Sequence, residues 1–596
     1  MKDFEKEHLE SVKDGTPFPA ELLRSNPENV AKILNKLSLE DQARCTMQME
    51  GRDKQDLLLL SERGKEVARL LPPEEIYFMA KEIGPDDFLP VLSVASCEQL
   101  QYIFDLEWWQ GDRFMPERAL AWLNRLEKNN DIGILGWLVN EDFDQIVMVL
   151  QSLIKVFKND DMTNSYTGVE NLKHFTPDGV YDVFLKAPQA ENLLRRFLKI
   201  LYDREVAYFQ ALMEAIIWNP VTLTIEKAYR WRLTRTSARG IPEFEEALEI
   251  YSRLDPEVLS TTAPTPEDFV DEGFFVAPHH IMAQVNPSSF FGLCLSLLKN
   301  KVRIEAIRWE LVCLANKIMV ADRFDPGDIE FRKLAMQKIL SSITIGLELG
   351  SGRDLQGGIQ LLKNTWMQTL FQVGYGRLIS LKCAAEKTAN EQKDFLCLLL
   401  REGEMERLLA LQNGRFSKWV PNIMDSGQAR DFESLVEIEE AEMFLFRCGF
   451  YLRFARQALG MTLSKLEDFL ESSRVPDSSG EISIIWLTST ALARCVLFKE
   501  VTCLPLPESA AKSFLEMIFV LSFEKDVPKT CDEDLVAKFK ACLLETPMAW
   551  TKQDKLILHD LLRLCEENLR EHFGRIDLKR PIKWEFTQGL CIAHPN

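Results

Sequence analysis

The sequence lacks the closely spaced ligand pairs that structural metal sites need. Its 13 cysteines form no CxxC pair, and its seven histidines include no HExxH motif. Cys591 and His594 have ligand spacing but stand alone, and the adjacent side chains of His279 and His280 point in different directions on a helix or strand. We therefore predict no structural zinc. The odd number and scattered positions of the cysteines predict free thiols in a reducing compartment.

Basic side chains are in the minority. The chain has 71 lysines and arginines against 91 aspartates and glutamates, which gives a formal net charge of −20. A protein that covers nucleic acid needs a basic surface to neutralise the phosphates. The composition therefore argues against a nucleic-acid partner.

No apolar run is long enough to cross a membrane. The most hydrophobic window starts at Ile482, and its uncharged part ends at Ala493 because Arg494 follows. A membrane helix needs roughly 20 apolar residues. The first residues, MKDFEKEHLESVKDG, are too charged for a signal peptide. We therefore expect a cytoplasmic protein without a membrane span.

Catalytic and phosphate-binding motifs are missing as well. The sequence has no GxSxG motif, and the glycine-rich stretch at residues 350–358 matches neither GxGxxG nor GxxxxGK[ST]. We therefore assign no catalytic residue and no cofactor. A site between helical segments is compatible with the sequence at two loops, residues 273–287 and 350–358. An enzyme or a ligand-binding regulator is accordingly the alternative function.

Helical periodicity is present along most of the chain. Apolar residues three and four positions apart predict a helix over residues 143–157, with Asn140 as its N-cap. Residues 342–346 are one possible strand, although their flanks look helical, whereas a parallel α/β fold needs many strands. The sequence predicts an all-α fold, with a superhelical array of short helices at the N-terminus and a larger multi-helix body after it.

A repeat of 12 residues marks the N-terminal region. Acids recur at this period, at Glu62, Glu74, Asp86 and Glu98. Prolines and acidic pairs beside these positions are typical of the first turn of a short helix. Such helices are unstable alone. We therefore expect stacking to bury two apolar phases of the repeat, Val67, Met79, Val91 and Ile103 in one, and Ala68, Ala80, Leu92 and Phe104 in the other.

Two stretches of this repeat, LPPEE at residues 71–75 and IGPDDF at residues 83–88, resemble a known domain. They are similar to the short acidic repeats in the cytosolic N-domain of MgtE-type magnesium transporters, whose helical superfold is comparable to that of the flagellar motor switch protein FliG. The resemblance covers about residues 25–110 and implies Glu74 and Asp86 as candidate magnesium ligands. We favour the simpler interpretation that these acids start helices. The chain has no membrane domain, so transport is not implied.

A second resemblance concerns the whole chain. The segments WQGDRFMPERALAWL (109–123) and TWMQTLFQVGYG (365–376) resemble a family of bacterial proteins of unassigned function. This resemblance implies a bacterial source and supplies no chemistry.

Composition divides the chain into four segments. Residues 158–190 and 473–481 are polar and broken by glycine and proline, and residues 255–290 are rich in proline. We predict a short-helix repeat domain at 1–125, a helical domain at 126–255, a central helical domain at 256–472 and a C-terminal helical domain at 482–596.

The clearest local reversal of charge is the segment EKAYRWRLTRTSAR, residues 226–239. Three of its arginines, Arg232, Arg235 and Arg239, share one face of a helix. An acidic partner, a phosphate or RNA would suit such a segment, and the partner-binding residues would then be Arg230, Arg232, Arg235 and Arg239. We favour an internal clamp onto the acids that follow, which are Glu243, Glu245, Glu246 and Glu249.

Two further features have a structural and a binding interpretation. Trp108 and Trp109 end the repeat, and their rings point about 100° apart on a helix, an arrangement that allows one of them to be partly exposed. Core capping is the preferred role, and a partner-binding hot spot is the alternative. The acidic segment 431–442 is expected to be a solvated face, with a docking surface for a basic partner as the alternative.

These observations predict a cytosolic bacterial interaction or scaffold protein without catalytic activity of its own. Stacked short helices form the extended surfaces that such proteins use. A protein partner is expected, but the sequence specifies neither its identity nor the oligomeric state.

Overall fold

The computed structural model describes residues 20–49, 51–128, 143–159, 168–169, 171–261, 284–390, 393–412, 414–421, 428–474, 483–520, 530–584 and 588–594. Within these ranges it contains 28 α-helices and a few short strands, so the predicted all-α class is confirmed. The chain forms two compact units. The first comprises residues 1–343 and 350–372, and the second comprises residues 344–349 and 373–596.

Short helices open the first unit. Several of their starts follow from the sequence, since Asn26 and Ser38 accept a backbone N–H as N-caps and Ser96 forms a capping box with Gln99. Pro73 lies in a first helical turn, where its missing N–H costs nothing. The helices are α1 (Ala20–Ser25), α2 (Pro27–Leu34), α3 (Leu39–Met47), α4 (Gly51–Leu60), α5 (Gly64–Leu70), α6 (Pro73–Ile83), α7 (Leu89–Leu92), α8 (Cys97–Glu107) and α9 (Pro116–Lys128), with a hairpin of β1 (Trp109–Gln110) and β2 (Arg113–Phe114) before α9.

The two predicted apolar phases of the repeat lie in the core of this array. All eight residues are at most 2 % exposed: Val67, Met79, Val91, Ile103, Ala68, Ala80, Leu92 and Phe104. The prediction that stacking buries both phases is confirmed. The same core cluster extends from Ala43 to Ala228, through the boundary predicted after residue 125.

A small antiparallel sheet follows the array. Its strands are β3 (Ile154–Lys158), β4 (His174–Phe175) and β5 (Tyr181–Leu185), with β5 in the middle. The preceding helix, α10 (Phe143–Leu153), ends earlier than predicted. The single helix predicted to residue 157 is therefore wrong, because Ile154 and Val156 are buried on alternate positions of a strand. Asn140, its predicted N-cap, lies outside the described residues.

Further helices follow along the chain. They are α11 (Glu191–Arg204), α12 (Val206–Trp218), α13 (Val221–Ser237), α14 (Phe244–Leu248), α15 (Val258–Thr261), α16 (Phe290–Leu297), α17 (Lys301–Ala321), α18 (Ile329–Ser351), α19 (Leu355–Asn364) and α20 (Met367–Asn390), with 3-10 turns at Pro188–Ala190 and Glu249–Tyr251. Of these, α18 and α20 extend into the second unit. The basic segment forms α13, which packs on α10 and on α8. Residues 342–346 lie inside α18, so the possible strand predicted there is wrong.

The second unit is also helical. After part of α18 and most of α20 it contains α21 (Lys393–Leu399), α22 (Glu402–Gln412), α23 (Leu435–Arg453), a π-helical turn at Phe454–Ala458, α24 (Leu463–Ser472), α25 (Ile484–Phe498), α26 (Glu508–Ile518), α27 (Glu533–Leu544) and α28 (Lys552–Phe573). Two pairs of short strands are added, β6 (Ser473–Arg474) with β9 (Ile592–Ala593) and β7 (Phe519–Val520) with β8 (Thr530–Cys531).

The most hydrophobic window of the sequence becomes α25, which packs on α27 and α28 within the second unit. In the described ranges no helix combines the length and the apolar character that a membrane span requires. The boundaries predicted near residues 125 and 255 fall inside the first unit, and the one near 472 falls inside the second. The division of the chain into four separate domains stays a prediction.

Candidate functional site

Arg235 of α13 makes a bidentate ion pair with Asp105 in the last turn of α8. Its Nε and Nη2 atoms donate to Oδ2 and Oδ1 of Asp105, each at 2.8 Å. Gln101 donates to the same carboxylate at 2.9 Å. Asp105 is only 2 % exposed, and this burial raises its pKa. A carboxylate buried so deeply needs the guanidinium to compensate its charge.

Arg232, about one turn earlier, donates to main-chain carbonyls. Its Nε binds the carbonyl oxygen of Asp105 at 2.6 Å, and its Nη1 binds that of Gly111 at 3.2 Å. The Asp105 carbonyl belongs to the last turn of α8, where the helix itself supplies no donor. The guanidinium also lies over the rings of Trp109 and Tyr229, 5.6 and 5.9 Å from their centroids. Arg232 therefore caps α8 from a different helix.

Arg239, just beyond α13, reaches two acids of the 12-residue repeat. Its Nη1 donates to Glu74 at 3.1 Å, and its Nη2 donates to Glu98. The guanidinium lies over the ring of Tyr102, 5.6 Å from the centroid. Burial, followed by the nearby charge of Glu74, raises the pKa of the Tyr102 hydroxyl.

We name these contacts the arginine seam, defined by Arg232, Arg235 and Arg239 with Asp105, Glu74 and Glu98. The seam ties α13 to α6 and α8 by charge-assisted hydrogen bonds, which are the stronger kind. Its three guanidiniums are bound to protein acceptors, so the arrangement holds helices in place. The predicted internal clamp is thus present, but its acids come from the repeat and α8 and not from residues 243–249.

Both tryptophans of the predicted hot spot are buried in the core. Trp108 stacks on Phe104 with ring centroids 4.2 Å apart, and Trp109 contacts Phe114 and Tyr229. Trp108 is fully buried and Trp109 nearly so. Both rings therefore take the preferred core role and neither is partly exposed, because the chain turns into the β1–β2 hairpin at Trp109 and folds α13 over it.

The two candidate magnesium ligands are engaged by arginines. Glu74 accepts from Arg239 in the seam, and Asp86 pairs with Arg125 at 3.0 Å. Across the described ranges, no group of three or more histidine, cysteine or acidic side chains has the arrangement of a metal site. His279 and His280 lie outside the described residues, while Cys591 is buried beside β9.

The glycine-rich loop at 350–358 is a tight connection between α18 and α19. Gly352 and Arg353 have positive φ angles of 59° and 66°, which turn the chain. Asp354 then caps α19 by accepting the N–H of Gly357 at 2.7 Å. The Asp354 carboxylate thus binds a backbone N–H at the start of α19 that a phosphate would otherwise bind. Most of the other predicted loop, residues 273–283, lies outside the described residues.

Gly358 gives a test of this connection. A Cβ there would lie 2.7 Å from Sγ of Cys294 and 3.1 Å from the ring of Phe290. We expect Gly358→Ala to destabilise the first unit by about 1–3 kcal/mol through overpacking, measured by denaturant unfolding. Gly449→Ala is the control, because its nearest atom is at an ordinary 3.7 Å. Gly449 lies within α23, where an alanine should raise the free energy of unfolding by about 0.5–1 kcal/mol because alanine favours the helix more than glycine. Equal losses of stability at Gly358 and Gly449 would contradict the packing argument.

The acidic segment 431–442 is largely paired within the second unit. Asp431 binds Lys418 at 2.6 Å, and Glu442 binds Arg377 at the same distance. Arg430 pairs with both Glu433 and Glu437. These contacts support a structural role for the segment.

A family model described as a family of unknown function, DUF6178, matches residues 31–593. The chain belongs to this family. The DUF6178 match includes every residue of the arginine seam and confirms the predicted resemblance to a family of unassigned function. No curated protein and no solved structure matches the chain, so the resemblance to magnesium transporters finds no support in these comparisons.

Asp105 is the member of the seam that the sequence analysis did not identify. Its signal is local, since Asp105 is one of two acids, with Glu107, in the mostly buried aromatic run YIFDLEWW, residues 102–109. A charged residue in such a run predicts a buried partner of opposite charge. The partner here is Arg235, 130 positions later in the chain, and no spacing rule identifies it from the sequence.

Proposed function

We propose that this protein is a cytosolic bacterial interaction or scaffold protein, and that the outward side of α13 binds a protein partner. The main support for this proposal is the exposure of Trp231, which lies in the middle of that helix and is 55 % exposed. Exposed tryptophans are rare on surfaces and are enriched among the residues that dominate interface energies.

The outward side of α13 carries more than one contact group. Leu223, Lys227, Arg230 and Trp231 fall within about 100° of one another around the helix axis. At the start of the helix, Val221 is half exposed and Trp218 of α12 is 75 % exposed. Apolar and aromatic groups beside an arginine match the composition of protein interfaces.

The inward side of the same helix is fixed by the seam. Arg232 and Arg235 bind α8, so the helix that presents Trp231 is anchored before any partner arrives. Trp218 is also oriented, because its indole Nε1 donates to Glu214 at 2.9 Å. A surface held in one conformation loses less entropy on binding, which favours α13 as an interface.

The test is affinity purification of the tagged protein from its native host, with quantitative mass spectrometry of the recovered proteins. We expect one stoichiometric partner with the parent protein. Trp218→Ala with Trp231→Ala should reduce its recovery about tenfold or more, since truncation of a hot-spot residue costs about 2 kcal/mol or more of binding free energy.

Leu556→Ala is the matched control, because Leu556 is an apolar side chain of α28 that is 67 % exposed in the second unit. This variant should retain the partner. Full recovery with the double variant would reject α13 as the interface, and the absence of any stoichiometric partner of the parent protein would reject the function itself.

A further inference from the structure

The second unit contains a buried carboxylate on which two arginines converge. Glu404, in the first turn of α22, is only 3 % exposed. Its Oε1 lies 3.5 Å from Nη2 of Arg401 and 3.9 Å from Nη2 of Arg447, a residue of α23. Its Oε2 accepts the backbone N–H of Arg401 at 3.2 Å. Charge-assisted hydrogen bonds are usually about 2.7–2.9 Å long, so this acid binds neither guanidinium closely.

Both arginines also have an unused donor. The Nε atoms of Arg401 and Arg447 are buried, and neither has a hydrogen-bond acceptor in the part of the chain that the structure describes. Nε and Nη2 form one edge of a guanidinium, and this edge can bind two oxygens side by side. Arg235 in the first unit shows the edge fully used, because its Nε and Nη2 bind both oxygens of Asp105 at 2.8 Å. The corresponding edges of Arg401 and Arg447 are incompletely used.

The charges of this cluster are unequal as well. Among the ion pairs of the described residues, Arg401 and Arg447 pair with Glu404 alone, so two positive charges share one negative charge. Arg407 adds a third guanidinium, which lies 5.7 Å from the centroid of the Phe444 ring, and Arg447 lies 5.6 Å from the same centroid. Arg407 donates to main-chain carbonyl oxygens, which carry no formal charge. The cluster therefore has an excess of positive charge within an acidic protein.

A ligand in solution can reach the two guanidiniums. The side chain of Arg401 is 39 % exposed and that of Arg447 is 33 % exposed. Three exposed acids lie on the same two helices, namely Glu402, Glu406 and Glu440. Within the described ranges, none of the three forms an ion pair with Arg401 or Arg447. An anion that binds the guanidiniums therefore competes with Glu404 only.

We propose that Arg401, Arg447 and Glu404 form a binding site for inorganic phosphate. A tetrahedral oxyanion has enough oxygens to bind the Nε and Nη2 edges of two arginines at once. A carboxylate has two oxygens, which one such edge already uses. Phosphate also supplies the negative charge that the cluster lacks. The site lies in the second unit and does not depend on the partner proposed for α13.

Glu404 gives the site its selectivity. An ionised carboxylate can only accept hydrogen bonds. Inorganic phosphate retains a proton on one oxygen well above neutral pH, and that oxygen can donate to Oε1 of Glu404. Sulfate and a fully ionised phosphate monoester have no proton to donate, so their oxygens would face the carboxylate as like charges. The site should therefore prefer inorganic phosphate to both of these anions.

The experiment is isothermal titration calorimetry of the full chain with sodium phosphate, at constant ionic strength and about pH 8, where a phosphate monoester is fully ionised. Sodium sulfate and methyl phosphate are the comparison ligands. We expect one phosphate per chain, bound about tenfold or more tightly than either comparison anion, which is the effect of one hydrogen bond to a charged group. No binding of phosphate, or equal binding of phosphate and a comparison anion, would overturn the proposal.

Variants test the role of each residue. Arg401→Gln and Arg447→Gln should each weaken phosphate binding about tenfold or more, since each removes charge-assisted hydrogen bonds. Arg447→Lys keeps the charge but lacks the two-donor edge, so it should also weaken binding. Glu404→Gln should remove most of the preference for phosphate over sulfate.

Arg563→Gln is the matched control, because Arg563 is 62 % exposed on α28 and pairs with Glu567 of the same helix. This variant should bind phosphate as the parent protein does. Far-ultraviolet circular dichroism confirms that each variant is folded. Parent-like phosphate binding by folded Arg401→Gln and Arg447→Gln, or equal weakening by Arg563→Gln, would show that phosphate binds elsewhere.

Discussion

Arg235→Ala should lower the free energy of unfolding of the first unit by about 3–5 kcal/mol, the usual loss when one partner of a buried ion pair is removed. The reason is Asp105, which remains buried without its bidentate partner. Denaturant unfolding followed by circular dichroism measures the loss. Hydrogen exchange resolved by peptide should place it in α8 and α13.

Arg230→Ala is the matched control on the same helix. Arg230 is 76 % exposed at its side chain and pairs only with the neighbouring Glu226 among the contacts of the described residues, so the change should cost at most about 1 kcal/mol. The double variant Asp105→Leu with Arg235→Ala should be more stable to unfolding than Arg235→Ala alone, since an apolar side chain at position 105 needs no countercharge. Equal losses at Arg230 and Arg235 would show that the seam does not stabilise the unit.

The Arg235→Ala loss should also depend on pH. Burial already raises the pKa of Asp105 above its ordinary value, and removal of the guanidinium raises this pKa further. A carboxyl whose pKa is higher in the folded state than in the unfolded state binds its proton more tightly when the protein is folded. The destabilisation caused by its ionised form is therefore absent below the pKa of the unfolded state, and it grows as the pH rises toward and through the pKa of the folded state. We therefore expect a smaller loss at about pH 4 than at about pH 7.

Trp108→Ala should cost about 3–5 kcal/mol, the usual range when a fully buried aromatic residue is truncated to alanine. Trp108 has no exposed surface and stacks on Phe104 at the end of α8. The cavity would open inside the core that the apolar phases of the repeat form. The same unfolding experiment measures the effect.

Trp231→Ala is the control for residue type. Its ring is more than half exposed, and surface substitutions usually change stability by no more than about 0.5 kcal/mol. A loss at Trp231 as large as that at Trp108 would contradict the division into a core tryptophan and a surface tryptophan. It would also weaken the case for Trp231 as a binding residue.

Much of the fold could be predicted because helices and repeats are local patterns. The 12-residue period identifies the buried residues of the array, since one short helix after another presents the same phase to the core. The β3–β5 sheet could not be predicted in this way. Ile154 and Phe157 continue the helical spacing of α10, and only pairing with β5, more than 20 residues later, makes them a strand.

Of the residues in the arginine seam, only the arginines could be selected from the sequence as a candidate site. Residues 226–239 stand out by charge against an acidic chain, and that contrast identified Arg232, Arg235 and Arg239. The acids that bind them could not be selected from 91 by proximity in sequence, because the true partners come from helices formed much earlier in the chain. Long-range ion pairs depend on the tertiary fold, which a single sequence does not display.

The length of chain between Asp105 and Arg235 has a consequence for biosynthesis. Arg235 follows Asp105 by 130 positions, and ribosomes add about 5–20 residues per second, so roughly ten seconds separate their synthesis. During that interval the nascent array contains Glu74, Glu98 and Asp105 without the guanidiniums that later neutralise them. Contacts so distant in sequence also form slowly, because a long loop must close first. The part of this protein that is translated first is therefore completed only after α13 has left the ribosome.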